Sequence, residues 1–85
     1  MSISLIIDQF VELIKNSKMN VVSGGYYPST IRKLRMLICD LKAAIIRTHN
    51  LKMLEYLQRI DSIIKENSVN EYTLINELMK IKYMN

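Results

Sequence analysis

Apolar side chains recur every three or four residues along four stretches of this chain. That spacing places them on one face of an α-helix, and such a face is stable only when it is buried against other helices. It predicts helices over residues 3–17, 30–48, 51–66 and 69–83. Because the links near residues 50 and 67 are short, we expect one all-α domain, residues 1–85, built as a small up-down four-helix bundle or as stacked helical hairpins.

Residues that favour helix ends mark three of these boundaries. Ser29, directly after Pro28, is the predicted N-cap of the second helix, and Asn50 is the predicted N-cap of the third. The fourth helix is preceded by a capping box, Ser68–Glu71, with serine and glutamate three residues apart. The long link over residues 18–28 has Val-Val and Tyr-Tyr on either side of Ser-Gly-Gly, which leaves a β-hairpin and an irregular loop as alternatives.

Each predicted helix has an apolar stripe that should form the core. The fourth stripe is wide, which favours either a helix wedged between two others or a face for docking and self-association. In chain order the stripes are Leu5, Ile6, Phe10, Leu13 and Ile14; Ile31, Leu34, Leu37, Ile38, Leu41, Ala44 and Ile45; Leu54, Leu57, Ile60 or Tyr56, and Ile64; and Tyr72, Leu74, Ile75, Leu78, Met79, Ile81 and Tyr83.

The chain is rich in apolar residues for its size. They make up 49% of its 85 residues. A domain this small buries only about 60% of the surface that its unfolded chain exposes. We therefore expect apolar surface that the fold does not cover, and with it a homodimer or docking on a larger protein.

The excess of positive charge is local. The net charge is +4, and the segments on either side of residues 29–49 are each neutral. Such a concentration of charge indicates where a partner would bind. Within residues 29–49 the cations, opposed by Asp40 alone, are Arg32, Lys33, Arg35, Lys42 and Arg47.

The second predicted helix has a mixed outer face, where Met36, Cys39, Ala43 and Ile46 alternate with the basic residues. Interfaces favour methionine and arginine, so this face is either a partner-binding surface or additional core covered by another helix. If it binds a partner, we expect the contacts to come from the five cations together with Met36, Ile46, Tyr26 and Tyr27.

Arg32, Lys33 and Arg35 follow the predicted helix start, where the partial positive charge of the helix disfavours cations. Three interpretations remain open. The cations pair with the chain's own carboxylates, such as Asp8, Glu12 or those of the third helix. Alternatively they meet an acidic protein surface, or they bind phosphates while Tyr26 or Tyr27 stacks on a base.

Catalytic and metal-binding patterns are missing from the sequence. The single histidine, His49, fits a polar position at a helix end, and the single cysteine, Cys39, fits a buried thiol. No pair of histidines or cysteines has metal-ligand spacing, and Ser-Gly-Gly lacks the rest of a phosphate-binding loop. We therefore expect no enzyme activity, no metal, no cofactor and no small-molecule substrate.

Location and partner class follow from similar arguments. A lone cysteine fits a reducing intracellular compartment. We expect no signal peptide, because the start lacks a basic segment and Asp8 interrupts its apolar run, and no membrane partner, because apolar runs do not exceed about four residues. The leading hypothesis is a non-enzymatic accessory or adaptor subunit that docks on a larger intracellular protein, such as part of a DNA polymerase or replication complex, or on its own copy. The alternatives are direct nucleic-acid binding through the second helix, and a small viral or plasmid protein that binds a host factor.

Overall fold

The structure, a computed structural model, describes residues 2–17, 25–66 and 71–84. These residues form four α-helices: α1 (Ile3–Asn16), α2 (Pro28–Ile46), α3 (Leu51–Glu66) and α4 (Glu71–Met84). The apolar spacing thus predicted the number of helices, and their bounds to within two residues. The all-α class and the four-helix bundle are confirmed.

The helices pack in a ring, each against its two neighbours, with α4 closing on α1. Asp8, in the first half of α1, binds the Lys82 ammonium near the end of α4 at 2.6 Å and so links these two helices. The Tyr56 ring of α3 has the Arg59 guanidinium 5.3 Å from its centroid and the Lys80 ammonium of α4 at 5.6 Å. The Lys80 contact is a cation–π interaction that joins α4 to α3, whereas the Arg59 contact lies within α3.

One apolar cluster fills the centre of the ring. All four helices contribute to it, and Tyr26 joins from the segment before α2. On α1 the buried stripe differs from the predicted one, because Leu5 is 48% exposed while Ile3, Ile7 and Val11 are buried. The buried apolar residues are Ile3, Ile6, Ile7, Phe10, Val11, Ile14, Tyr26, Leu34, Ile38, Leu41, Ala44, Ile45, Met53, Leu57, Ile60, Ile64, Leu74, Leu78 and Ile81.

Helices α3 and α4 show how the predicted stripes compare with the observed core. Between Ile60 and Tyr56, it is Ile60 that is fully buried, whereas Tyr56 is only half-buried against the cluster. On α4 the buried stripe is narrower than predicted, since Tyr72 and Tyr83 are exposed at opposite ends of the helix. Helix α4 packs against both α1 and α3, while Tyr72 and Tyr83 are exposed, so a docking or self-association face on this helix stays a prediction.

The predicted start of the second helix is wrong by two residues. Helix α2 begins at Pro28, with Tyr27 as N-cap and the Ile31 amide donating to the Tyr27 carbonyl at 3.0 Å. Proline is favoured in the first turn because its φ is already helical and it has no amide proton to satisfy. Ser29 therefore lies inside the helix and is not its cap.

The link between α2 and α3 is held by local hydrogen bonds. The Asn50 side-chain oxygen accepts from the Lys52 amide at 3.1 Å and the Met53 amide at 3.2 Å, which confirms the predicted N-cap. At the end of α2, the His49 amide donates to the Ile46 carbonyl at 3.2 Å, and His49 has φ of 56°. His49 thus takes the left-handed conformation in which many helices end.

Two sequence predictions involve residues outside the described ranges. They are the capping box that begins at Ser68 and the alternatives for the link across residues 18–24. For the helices that are described, none is both long enough and apolar enough to cross a bilayer.

Candidate protein-interaction groove

The outer face of α2 is open to solvent. Met36 is 64% exposed and Ile46 is 51% exposed. The alternative that these residues belong to a covered core is therefore wrong. Cys39, predicted to be a buried thiol, is exposed as well, because it lies on this outer face and not on the buried stripe.

The cations of α2 are exposed and have no carboxylate partner among the described residues. Among the acids considered, Asp8 binds Lys82 at 2.6 Å and Asp61 binds Lys65 at 3.1 Å, and neither Glu12 nor another α3 acid forms an ion pair with an α2 cation in the described residues. The interpretation in which these cations pair with the chain's own acids is therefore wrong. That interpretation was made for Arg32, Lys33 and Arg35. Lys42 and Arg47 likewise have no carboxylate partner among the described residues.

The earlier start of α2 also changes the electrostatics of its first turn. With Pro28 as the first helical residue, Arg32 and Lys33 lie in the second turn. The repulsion between a helix start and a cation fades within the first turn. The positions of these cations are therefore less unfavourable than the sequence indicated, and their lack of internal partners is the stronger observation.

A groove of about 330 Å³ lies between α2 and α3. Ile38 and Leu57, both buried, and the half-buried Leu54 give it an apolar floor. Cys39 and Ile46 extend the apolar surface along α2. The polar residues that line it are Arg35, Lys42, Gln58, Asp61 and Lys65.

The charges along the rim do not cancel. Asp61 and Lys65 are four residues apart on α3 and neutralise each other. Arg35 and Lys42, on the α2 side, are left without an internal counter-ion among the described residues. The groove therefore combines an apolar floor with a net positive rim.

A shallower depression continues the groove toward the start of α2. It has a volume of about 420 Å³ and shares Arg35 and Cys39 with the groove. Pro28, Ile31 and Met36 supply its apolar part. Together the two depressions form a mixed basic and apolar surface along most of α2.

The two tyrosines before α2 have different environments. Tyr26 is 3% exposed, and burial, followed by the nearby Glu71 carboxylate, raises the pKa of its phenol. A ring buried in this way cannot stack on a base, so the predicted contact role of Tyr26 is wrong. Tyr27 is 46% exposed and keeps an accessible ring beside Pro28.

The structure brings together some of the predicted contact residues and separates others. Arg35, Lys42 and Ile46 line the groove, whereas Arg32 and Met36 line the depression beside it. Lys33 lines neither, and Arg47 lies toward α1 beside Ile6. The residues of the α3 wall were missed, because only the register between α2 and α3 shows that they face this surface; they are Leu54, Leu57, Gln58, Asp61 and Lys65.

The described residues contain no group of three or more histidine, cysteine, aspartate or glutamate side chains placed to hold a metal ion. Comparison of the chain with protein-family models, curated proteins and solved structures found no match.

Proposed function

We propose that this chain is a non-enzymatic protein-interaction module, an accessory or adaptor subunit that docks on a larger protein through the α2–α3 groove. The observation that carries the proposal is the groove's composition. Its floor is apolar, and two cations on its rim have no carboxylate partner within the described part of the chain. Binding a partner would remove the apolar floor from water and neutralise the rim.

The exposed residues beside the groove add to this argument. Met36 and Ile46 are more than half exposed on the same helix that supplies the cations. Methionine adapts its shape to a partner, and long basic side chains can pack their stems while their charged heads remain in water. A surface of this kind suits a protein partner better than a small molecule, since it is elongated and only shallowly concave.

Photo-crosslinking from chosen positions tests the proposal in the cell that expresses the protein. A benzophenone amino acid replaces either Ile46, which lines the groove, or Met36, which lines the adjoining depression. In a matched control it replaces Gln9, which is exposed on α1. We expect one adduct mass from positions 36 and 46 and none from position 9. Equal adducts from all three positions, or none from any, would contradict the proposal.

Nucleic-acid binding is the second candidate, and one observation favours it. Arg32, Lys33 and Arg35 are exposed near the half-exposed ring of Tyr27, without carboxylates to neutralise them among the described residues. Phosphate contacts weaken steeply as salt is raised, whereas a largely apolar interface does not. Fluorescence anisotropy of labelled random-sequence DNA at two salt concentrations distinguishes the two candidates. Absence of binding at low salt excludes this second candidate.

A further inference from the structure

The occupant of the α2–α3 groove can be described more closely from the positions of its rim charges. We infer that the groove binds an amphipathic helix of the partner protein, with an apolar stripe that covers the floor and carboxylates that pair with Arg35 and Lys42. This inference rests on the proposed function and specifies the chemistry of the partner.

The dimensions of the groove match those of a short helix. Its α2 wall runs from Arg35 to Ile46, which at about 1.5 Å per residue is about 17 Å, or three helical turns. Two parallel ridges with an apolar floor between them are the geometry in which a third helix packs. Helix-in-groove binding uses anchors at positions i, i+3 or i+4, and i+7, which span about 10 Å and therefore fit within this length.

The spacing of the cations adds a register. Arg35 and Lys42 are seven residues apart on α2, which is two helical turns. They therefore lie on nearly the same face of the helix, about 10 Å apart along its axis. A helix bound along the groove meets both cations when its own carboxylates are also seven residues apart.

The α3 wall of the groove supplies no carboxylate that neutralises Arg35 and Lys42. Asp61 is held by Lys65 at 3.1 Å on its own helix, so the positive charge on the α2 side is not reduced from across the groove. Complementary charges of this kind speed association and fix register more than they add affinity. The apolar floor then supplies the affinity, and the rim selects acidic partners.

Two other occupants fit less well. A second copy of this chain that placed its own groove here would bring Arg35 and Lys42 against the same two cations, and like charges in an interface are unfavourable. A nucleic acid would use the cations but would leave the floor of Ile38, Leu54 and Leu57 without an apolar partner. The acidic amphipathic helix uses both features.

A selection experiment with a designed charge reversal tests the inference. The probe is a displayed library of 16-residue peptides with leucine fixed at i, i+4 and i+7 and random residues elsewhere, a length chosen to exceed the three turns of the groove. The library is selected on the full-length protein, on the Arg35→Glu/Lys42→Glu variant and on a control variant, Lys15→Glu/Lys52→Glu. The control lysines are exposed on α1 and α3, lie outside the groove, and change the net charge by the same amount.

Four results are expected from this experiment. Peptides selected on the wild type and on the control carry Asp or Glu at two positions seven residues apart. Peptides selected on the Arg35→Glu/Lys42→Glu variant carry Lys or Arg there, and wild-type peptides bind this variant at least tenfold more weakly. Bound peptide also slows alkylation of Cys39, because this thiol lies in the wall of the groove.

The contrary outcomes are distinguishable. Enriched peptides that are neutral or basic on the wild type, yet still protect Cys39, overturn the acidic preference and leave the proposed function in place. Failure to enrich any peptide that protects Cys39 overturns the helical occupant, and the photo-crosslinking experiment then decides the proposed function independently. Circular dichroism of each variant shows that it is folded, and the neutral Arg35→Gln/Lys42→Gln variant replaces the charge reversal if that variant is not.

Discussion

Asp61 binds Lys65 on its own helix at 3.1 Å, although Arg35 and Lys42 line the same groove. An aspartate four residues before a lysine is a favourable pair on a helix surface. The acid of the groove is thus neutralised locally, and the cations of α2 are left without a carboxylate among the described residues. Arg35 and Lys42 therefore give the rim a net positive charge, on which the proposed function and the acidic helical partner both depend.

The two faces of α2 should respond very differently to truncation. Leu41 is completely buried, whereas Met36 is 64% exposed. We expect Leu41→Ala to lower the free energy of unfolding by about 2–5 kcal/mol, since it removes buried methyl groups and leaves a cavity. Met36→Ala should change it by less than about 0.5 kcal/mol. Urea denaturation of both variants measures the difference, and a large loss for Met36→Ala would show that this residue belongs to the core.

The second prediction concerns Asn50, the N-cap of α3. The Asn50 side-chain oxygen accepts hydrogen bonds from two amides at the start of the helix. Asn50→Ala should lower the free energy of unfolding by about 1 kcal/mol, whereas Asn50→Asp should preserve the cap. Urea denaturation of the two variants checks this. Equal stability of Asn50→Ala and the wild type would mean that the hydrogen bonds do not form in solution.

The third prediction concerns His49, just after the end of α2. His49 has φ of 56°, a left-handed conformation that costs residues with a Cβ more than it costs glycine. His49→Gly should therefore raise the free energy of unfolding by up to about 1 kcal/mol, because relief of the local strain exceeds the extra entropy that glycine gives the unfolded chain. For a domain of this size the corresponding rise in Tm is about 4–8 °C. His49→Val should lower Tm, and a rise for both variants would rule out this explanation.

The fold could be predicted from the sequence because it depends on apolar spacing, which is a property of each segment alone. The errors arose where two local patterns in the sequence compete. On α1, Leu5 and Ile7 both fit a helical stripe, and only packing against α2 and α4 shows that Ile7 is buried and Leu5 is half exposed. The start of α2 was placed two residues late, because Ser29 is a common cap and Pro28 is equally common in a first turn.

The site was predicted only in part, for a different physical reason. Charge density and alternation along α2 identified Arg35, Lys42 and Ile46, which line the groove. Its α3 wall depends on the register between two helices, and no local pattern records that register. The ion pair of Asp61 with Lys65 was likewise not foreseen, although the i, i+4 spacing is visible in the sequence.

Ionisation of Tyr26 should make the free energy of unfolding depend on pH in the alkaline range. Burial, with a smaller effect from Glu71, raises the pKa of its phenol above the ordinary value of 10.0. Well below pH 10.0 the phenol is protonated in both states, and its titration does not change the stability. As pH rises from there toward the higher pKa of the folded state, the unfolded chain loses this proton first, so stability falls.

The variant Tyr26→Phe isolates this effect, because every other ionisable group is present in both proteins. We expect the stability of the wild type relative to Tyr26→Phe to be constant up to about pH 9 and to decline above pH 10.0, measured by urea denaturation at a series of pH values. A relative stability that does not change with pH would contradict a raised pKa for Tyr26.

The exposed thiol of Cys39 reports directly on the groove. It is the chain's single cysteine, so a thiol reagent labels one known position. Because the side chain is exposed on the native fold, Ellman's reagent should react with it nearly as fast as with the urea-unfolded chain. A thiol buried in the core would instead react only in unfolded molecules, which make up only about 10⁻³ to 10⁻⁶ of a stable domain. Native protection of a hundredfold or more in the isolated monomer would therefore place Cys39 in the core and remove one wall of the groove. Protection that appears only as the protein concentration is raised would show that a second copy covers this wall, against the charge argument for an acidic partner.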